Sequence, residues 1–326
     1  MARVNWEQVA AAAKAVAGLP DDVKPLNFYS YFTPDGEVVA ADMYPPLHHP
    51  MAVDDFFFVC LHNYGFWHGD ERGYAGPLFG TLGGKKRKGS DLLWRVCMRQ
   101  FDGDSAWFRP ERLAAASDDE LIEKLFVDDN GVIAFPDLPY RLAITREYGR
   151  WFADRCLTPG DLVRVANKLD KSLTTFLRFM RHVRGYDTDP LEKRQLLLAM
   201  ALHNRPERFL EVGDLERWRP IVDYHLQRVC LRSGMVELGD DQLEANRSRA
   251  WVSDETEADI RQQCFEALKQ VQDDCGRGHA VTDLAFWKAR RSCPEMEEPD
   301  CGKCHFSGFC AKRTDLFQPV FRTTDY

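Results

Sequence analysis

A mainly α fold is predicted for this chain, because apolar residues recur at helical spacing in three stretches of its second half. Steps of three and four residues between positions 159 and 183 predict one long helix with a single buried face. A second helix is expected over 191–202, where leucines can pack back on the first, and a third over 223–235. The positions that define the long helix are Leu162, Val165, Leu169, Leu173, Phe176 and Met180.

The first 22 residues, MARVNWEQVAAAAKAVAGLPDD, are typical of a short amphipathic helix and lack the cleavage site of a signal peptide. No apolar run approaches the length that crosses a bilayer. The expected location is therefore the cytoplasm, with no membrane partner. Two aromatic runs that follow, NFYSYF and DFFFVCLHNYGFW, are each compatible with a buried helix or a strand, since periodicity alone cannot separate the two.

Composition indicates a folded protein with a large core, since 44% of the 326 residues are hydrophobic and 12% are aromatic. The net charge of −8 argues against a general nucleic-acid binder, because phosphate neutralisation needs clustered Lys and Arg. Two local basic runs remain, 85–88 within GGKKRKGS and the run of Arg178, Arg181 and Arg184. Flanking glycines predict an exposed loop for the first run, which is either a phosphate contact or a solvated face.

Four of the ten cysteines lie in one stretch, CPEMEEPDCGKCHFSGFC (293–310). A reducing cytoplasm disfavours structural disulfides, so clustered cysteines there indicate ligands of a metal ion or a cluster. Cys275, within DDCGRGH, is predicted in a loop. The other five have apolar neighbours and are predicted core residues: Cys60, Cys97, Cys156, Cys230 and Cys264.

The stretch PIVDYHLQRVCLRSGMV (220–236) carries the most chemistry. Asp223 falls in the first turn of its predicted helix, where a carboxylate can cap free backbone N–H groups. That cap is one interpretation of Asp223. The neighbouring His225 and Arg228, together with the downstream cysteines, support a second interpretation, which is a functional site. The apolar face that would hold the helix consists of Val222, Leu226, Val229 and Cys230.

The segment VDYHLQRVCLRSGMV resembles the V-D-x-H-x-x-R-V-x-x-R motif of the helix-hairpin-helix base-excision DNA glycosylases, the superfamily of endonuclease III and the adenine mismatch glycosylase. The resemblance implies a helical fold of two subdomains and a C-terminal loop in which four cysteines hold a 4Fe-4S cluster, usually spaced C-x6-C-x2-C-x5-C. The matching residues here are spaced C-x7-C-x2-C-x5-C, and their place after the Asp223 helix favours iron–sulfur. Four thiolates also suit tetrahedral zinc, which stays an alternative. These residues are Cys293, Cys301, Cys304 and Cys310.

A second resemblance covers roughly residues 60 to 240. The stretches HNYGFWHGDERGY, FRPERLAAASDDELIEKLF and LEKRQLLLAMAL, followed by VDYHLQRV, are similar in order and spacing to the queuosine salvage proteins. Those proteins are nucleoside hydrolases that release the modified base queuine, and their fold is related to that of the glycosylases. The glycosylase hairpin usually has the sequence L-P-G-V-G, whereas RGYDTDPLEKR occupies that place here. Lys193 and Arg194 lie at the start of the next helix as candidate substitutes, and Arg194 is the expected phosphate contact.

Both resemblances imply hydrolysis of the N-glycosidic bond between a base and its sugar. Asp223 is the expected catalytic carboxylate, since a fixed negative charge stabilises the cationic sugar that forms as this bond breaks. His225 and Arg228 are expected to orient the helix or bind substrate, and a structural salt-bridge role is an equal alternative. Lys193 lies near the position of the lysine that acts as nucleophile in bifunctional glycosylases. Its longer spacing to Asp223 favours a monofunctional enzyme.

Recognition of an extruded base needs aromatic faces and hydrogen-bonding groups. Asn63, Tyr64, Trp67 and His68 offer both within HNYGFWHGD, with plain core packing as the alternative. The expected phosphate contacts are Lys85, Lys86, Arg87, Lys88 and Arg194.

Three functional classes stay open. The first is a DNA glycosylase for a damaged or modified base. Such bases include the hypermodified bases of phage genomes. The second is a queuosine-type nucleoside or nucleotide hydrolase, and the third is a non-catalytic nucleic-acid-binding protein. We expect a monomer whose partner is DNA. The expected division is 1–157 (N-terminal helical and aromatic base-pocket region), 158–250 (hairpin-like catalytic region) and 251–326 (C-terminal helix and cluster loop).

Overall fold

The computed structural model describes residues 1–21, 23–32, 38–40 and 42–326, and the side chains of these residues outside 31–41. This part of the chain contains thirteen α-helices and eight strands of two to four residues, so the predicted mainly α class is confirmed. The helices are α1 (Trp6–Ala17), α2 (Ala52–Leu61), α3 (Gly89–Asp104), α4 (Pro110–Ala115), α5 (Asp118–Leu125), α6 (Leu138–Ala153), α7 (Pro159–Leu169), α8 (Leu173–Met180), α9 (Lys193–Asn204), α10 (Tyr224–Ser233), α11 (Asp240–Ser248), α12 (Asp254–Asp274) and α13 (His279–Ser292).

The strands form four separate antiparallel pairs among the described residues. One pair joins the start of the chain to the segment after α10, and the other three are local hairpins between residues 30 and 88. The pairs are β1 (Arg3–Val4) with β8 (Val236–Glu237), β2 (Ser30–Phe32) with β3 (Val38–Ala40), β4 (Trp67–Gly69) with β5 (Tyr74–Pro77), and β6 (Phe79–Leu82) with β7 (Lys85–Lys88).

Two large hydrophobic clusters make up most of the core. The larger one surrounds α2, a helix whose ten residues are all buried or nearly so, and extends along the chain as far as Ile221. The smaller one combines α1, near the start of the chain, with the segment from Val222 onward that contains α10, α12 and α13. Both ambiguous aromatic runs are thereby resolved: the run before His62 is a buried helix, and NFYSYF contains β2. The chain therefore passes from one core to the other directly before Asp223.

The prediction of a single long helix over 159–183 is wrong, because α7 and α8 are separate helices. Lys171 between them has a left-handed backbone (φ 52°), and the Ser172 hydroxyl caps α8 by accepting from the Thr175 N–H at 2.9 Å. Two of the predicted stripe positions consequently face solvent, Leu169 being 62% exposed and Val165 39% exposed. The helices expected over 191–202 and 223–235 are confirmed to within two residues.

The segment GGKKRKGS is not the exposed loop that we predicted. Gly83 and Gly84, both with positive φ (61° and 69°), form a two-residue turn, and 85–88 is the second strand of the hairpin. Among the cysteines predicted in the core, Cys156 is exposed and the other four are buried, whereas Cys275 is buried at the end of α12.

No helix in the described ranges is long and apolar enough to cross a membrane.

Candidate active site

Asp223 is the N-cap of α10. Its backbone is extended (φ −109°, ψ 179°), and its Oδ1 accepts a hydrogen bond from the Leu226 N–H at 2.9 Å. The predicted capping role is thus confirmed. Oδ2 has no hydrogen-bond or ion-pair partner among the residues that the structure describes. Because the side chain is only partly buried, this second oxygen can face a ligand while the first one holds the helix.

Arg261 of α12 fixes Asp223 relative to the start of α9. Its guanidinium donates to both oxygens of Asp189, at 2.8 and 2.9 Å, and to the Val222 carbonyl oxygen, at 3.2 and 3.3 Å. Asp189 also accepts from the backbone N–H of Lys193 at 2.7 Å. These side chains are buried, and bidentate Arg–carboxylate pairs are strongly directional. The starts of α9 and α10 are therefore held together.

Lys193 lies close enough to Asp223 for their charges to interact. Its side chain is buried, and its Nζ donates to the carbonyl oxygen of Asn63 at 2.7 Å and to the Asn63 Oδ1 at 2.8 Å. Burial lowers the pKa of Lys193 to about 8, although the Asp223 carboxylate acts in the opposite direction. The structure therefore brings together Asp223, Lys193 and Asn63, three of the predicted site residues.

Two charged residues of α13, neither of them predicted, also lie near Asp223. Burial and the Asp223 charge raise the pKa of Asp283 to about 7, and Lys193 acts against them. Burial lowers the pKa of Arg290, and the Asp223 charge opposes that shift. Neither Asp283 nor Arg290 has a hydrogen bond or ion pair in the described part of the chain, although Arg290 lies over the Trp287 ring, 3.9 Å from its centroid.

The sequence contained one signal for these two residues. Positions 283 and 290 are seven apart, and they share a helix side that adjoins the buried positions 282, 286 and 289. Charged groups beside a buried stripe are unusual unless they are paired or functional. Their proximity to Asp223 required the packing of α13 on α10, which no local pattern specifies.

His225 and Arg228 join α10 to the cysteine segment. Arg228 donates to the Cys293 carbonyl oxygen at 3.1 Å and to the Gln318 Oε1 at 2.7 Å, and its third nitrogen lies 3.1 Å from the His225 Nδ1. Burial, followed by the charges of Arg290 and Arg228, lowers the pKa of His225 well below its usual value. His225 is therefore neutral at pH 7. Of the two roles predicted for Arg228, these contacts favour orientation of the helix.

Lys88, a predicted phosphate contact, instead forms an ion pair with Glu295. Glu295 is 1% exposed and also lies 3.4 Å from the His225 Nδ1. Burial alone would raise the pKa of Glu295, but the charges of Arg228 and Lys88 lower it. No local pattern indicates that Glu295, inside the cysteine stretch, would be buried. Lys88 therefore links the hairpin of β6 and β7 to the cysteine segment 293–310.

The remaining basic residues of the hairpin differ in availability. Lys85 and Lys86 are exposed, and the Lys86 Nζ lies 4.2 Å from the centroid of the Phe79 ring. Arg87 is paired with Asp42 at 3.1 Å. Only Lys85 and Lys86 among the hairpin cations are thus free of a carboxylate partner in the described structure.

The predicted base-pocket residues occupy different environments. Tyr64 has no exposed surface, and its ring lies 4.1 Å beneath the Arg141 guanidinium. Trp67 is 4% exposed and stacks on Tyr74, with 5.3 Å between ring centroids. His68 is exposed on β4, and Asn63 is held by Lys193. In this conformation neither Tyr64 nor Trp67 presents an open face for stacking.

Arg194 is buried rather than exposed to phosphate. It donates to the Leu61 carbonyl oxygen at 2.7 Å and to the Thr188 hydroxyl at 3.3 Å. Arg141 donates in the same region to the carbonyl oxygens of His62 (2.9 Å) and Tyr64 (2.7 Å). With Lys193 on the Asn63 carbonyl, the four consecutive carbonyls 61–64 at the C-terminus of α2 all accept from buried cations. Such an arrangement complements the negative end of the helix dipole.

The four C-terminal cysteines are half-buried and unbonded to one another. Burial raises the pKa of Cys310, and the other three thiols of the segment raise it further. Burial also raises the pKa of Cys304, to which Cys293 and Cys301 add. Arg232 donates to the Cys293 Sγ at 3.3 Å, and the Lys312 N–H to the Cys310 Sγ at 3.4 Å. Thiolates that accept N–H donors are the ligand type that holds iron–sulfur clusters. Among the described side chains, no three His, Cys, Asp or Glu residues are grouped to hold a metal ion.

No protein-family model matches the chain, and no curated protein matches it significantly.

Proposed function

We propose that this protein is an N-glycosidic bond hydrolase, and more specifically a monofunctional DNA glycosylase that removes a damaged or modified base. The single observation that carries the proposal is the geometry of Asp223. One oxygen is fixed by the Leu226 N–H, and the other is unpartnered among the described residues, next to a second carboxyl group and a lysine. A carboxylate with one oxygen anchored is preorganised to face a developing positive charge.

In the proposed reaction the free oxygen of Asp223 lies beside the sugar of an extruded nucleotide. As the bond to the base lengthens, positive charge grows on the sugar, and the carboxylate stabilises it and accepts a proton from the attacking water. Arg261 contributes by fixing the position of Val222, directly before Asp223. The unpartnered Arg290 guanidinium is suited to bind a phosphate of the same nucleotide.

The environment of Lys193 supports the monofunctional form of the proposal. A Schiff-base nucleophile must be a neutral amine with access to the sugar carbon. Lys193 is 3% exposed, its Nζ donates two hydrogen bonds to Asn63, and a pKa of about 8 leaves it mostly charged at pH 7. We therefore assign Lys193 to positioning and charge balance around Asp223.

For the cysteine segment we propose a structural 4Fe-4S cluster held by Cys293, Cys301, Cys304 and Cys310, with zinc as the alternative. A bound cluster would fix the loop, and through Arg228 and Arg232 it would support α10. Protein purified without oxygen is expected to be brown and to contain iron and acid-labile sulfide. A colourless protein that contains one zinc per chain would overturn the iron assignment.

One observation favours the queuosine-type hydrolase as a second candidate. Of the five predicted phosphate contacts, Arg194 is buried and Arg87 and Lys88 are paired with carboxylates. A site with few free cations is better suited to a nucleoside or nucleotide than to a long duplex. The proposed DNA partner therefore relies on Lys85, Lys86 and Arg290.

The test is an assay of base release by mass spectrometry on a panel of substrates. The panel contains duplexes with uracil, hypoxanthine, 7-methylguanine or a 7-deazaguanine base, and the matching free nucleosides. Asp223→Asn keeps the helix cap but removes the charge, so we expect a folded protein whose rate falls by about a hundredfold or more. Release from nucleosides alone would select the second candidate. A folded Asp223→Asn protein with the wild-type rate would refute both.

A further inference from the structure

Beyond the role of Asp223, and resting on the proposed function, we infer that Asp283 is the proton donor to the departing base. The two carboxyl groups then divide the reaction between them. Asp223 is the charged partner of the sugar, and Asp283 is the acid for the leaving group. Asp283 belongs to α13, outside both sequence resemblances.

Asp283 faces the same cleft as the residues that flank Asp223. The cleft has a volume of about 10 Å³, and its lining includes Pro220, Ile221, Leu226 of α10 and Phe286 of α13. In the described structure Asp283 has no hydrogen bond or ion pair, which is unusual for a half-buried carboxyl group. A structural aspartate in such a place would be expected to have a partner. Asp283 is thus available to donate to a ligand in the cleft.

The environment of Asp283 favours its protonated form. Burial and Asp223 raise its pKa to about 7, against the influence of Lys193. Arg219, before α10, is a cation that lines the cleft, while α12 contributes the uncharged Gln272 and Leu268. On α13 itself His279 is neutral, because burial lowers its pKa to about 3.

Two neighbouring carboxyl groups with different environments are suited to separate acid and base roles. As the bond between C1′ and the base nitrogen breaks, its electron pair stays with the base. The Asp283 carboxyl group gives its proton to a ring nitrogen of that base. Water then attacks C1′ and loses a proton to Asp223, and that proton returns to Asp283 through solvent. The sum is one water consumed, one neutral base released and an abasic sugar formed.

The first measurement is binding, which needs no turnover. One duplex carries a cationic pyrrolidine in place of the sugar, and the control duplex carries the neutral tetrahydrofuran. Between about pH 6 and about pH 8 Asp283 ionises, so the preference for pyrrolidine should increase at least about threefold in the wild type. The Asp283→Asn variant should still prefer pyrrolidine, but this preference should no longer increase with pH. Asp274→Asn, which removes one exposed charge from α12, is the matched control and should behave as wild type.

The second measurement is single-turnover release from the panel. Asp283→Asn should slow release of a neutral base such as hypoxanthine by about a hundredfold. It should slow release of 7-methylguanine by less than about threefold, because that base is already cationic while attached to the sugar and leaves as a neutral molecule without a proton donor. Equal losses on both duplexes, or an unchanged pH dependence of binding, would overturn the role of Asp283. Failure of the proposed function would look different, because the wild type would then show no preference for pyrrolidine at any pH.

Discussion

Two loops in this protein are held by arginines from neighbouring helices. The loops differ in how many of their polar groups have hydrogen-bond partners within the chain. At the end of α2, buried cations bind all four carbonyls of residues 61–64. In the cysteine loop (293–310), Arg228 and Arg232 bind the backbone at Cys293 and Pro294, but the four thiols remain half-exposed and unbonded to each other. In the first loop, side chains of the protein itself satisfy all four carbonyl oxygens. In the second loop two sulfurs accept N–H donors, and the four thiols are the ligands of the proposed cluster.

The largest effect is expected from breaking the first loop. Arg141→Leu removes the donors to the carbonyls of His62, Tyr64 and Pro136. Each buried acceptor left without a partner costs about 1–3 kcal/mol, so we expect a loss of at least about 3 kcal/mol in the free energy of unfolding. Urea denaturation measures it. Arg155→Leu, which changes an exposed arginine over the Trp151 ring, is the control and should cost less than about 1 kcal/mol.

The next effect concerns the cysteine loop. Cys304→Ser should abolish the iron binding proposed for this loop and speed amide hydrogen exchange across 293–313, because the variant lacks one ligand and loses the folding energy that the proposed cluster would supply locally. The change in overall unfolding should be smaller than that of Arg141→Leu. The control is Cys156→Ser, which changes an exposed cysteine outside the loop and should leave iron content unchanged. If Cys304→Ser destabilised the whole protein as much as Arg141→Leu, the contrast between the loops would fail.

The smallest effect is expected at the hairpin, which shows the same contrast between free and satisfied cations. Replacing Lys85 and Lys86 by Gln should weaken duplex binding and make log K fall less steeply with log salt, by about 0.9 for each phosphate that is no longer neutralised. Lys88→Gln should instead destabilise the fold, since it leaves buried Glu295 without its lysine. Replacing Lys14 and Lys168, two exposed lysines elsewhere, controls for net charge. An unchanged salt dependence in the first variant would exclude the hairpin from DNA binding.

What could be predicted from the sequence was local. The α10 helix and its Asp223 cap follow from apolar spacing and one carboxylate, all within a dozen residues. The break between α7 and α8 was missed because Asp170, Lys171 and Ser172 interrupt the helix without a glycine or a proline. The buried helix α2 was ambiguous because it is apolar on nearly every side.

The groups around Asp223 are a different case, since they depend on contacts between distant segments. Asp283 lies 60 residues after Asp223 and comes near it only when α13 packs on α10. Glu295 resembles any acidic loop residue in sequence, and its burial depends on Lys88, 207 positions away. Hydrophobic patterning specifies which face of a helix is buried, but it does not specify which polar groups meet across that face.

The hydrogen bonds of Arg261 have a consequence for the order in which the protein assembles. Its guanidinium joins Asp189, 72 positions earlier, to the carbonyl of Val222, 39 positions earlier. Contacts that close long loops form after local helices, because the entropy of closure must be overcome first. The helix α10 can therefore form early, while Asp223 acquires its orientation only once α12 has docked. The activity proposed for Asp223 should then appear after helical structure during refolding, as a separate and slower phase.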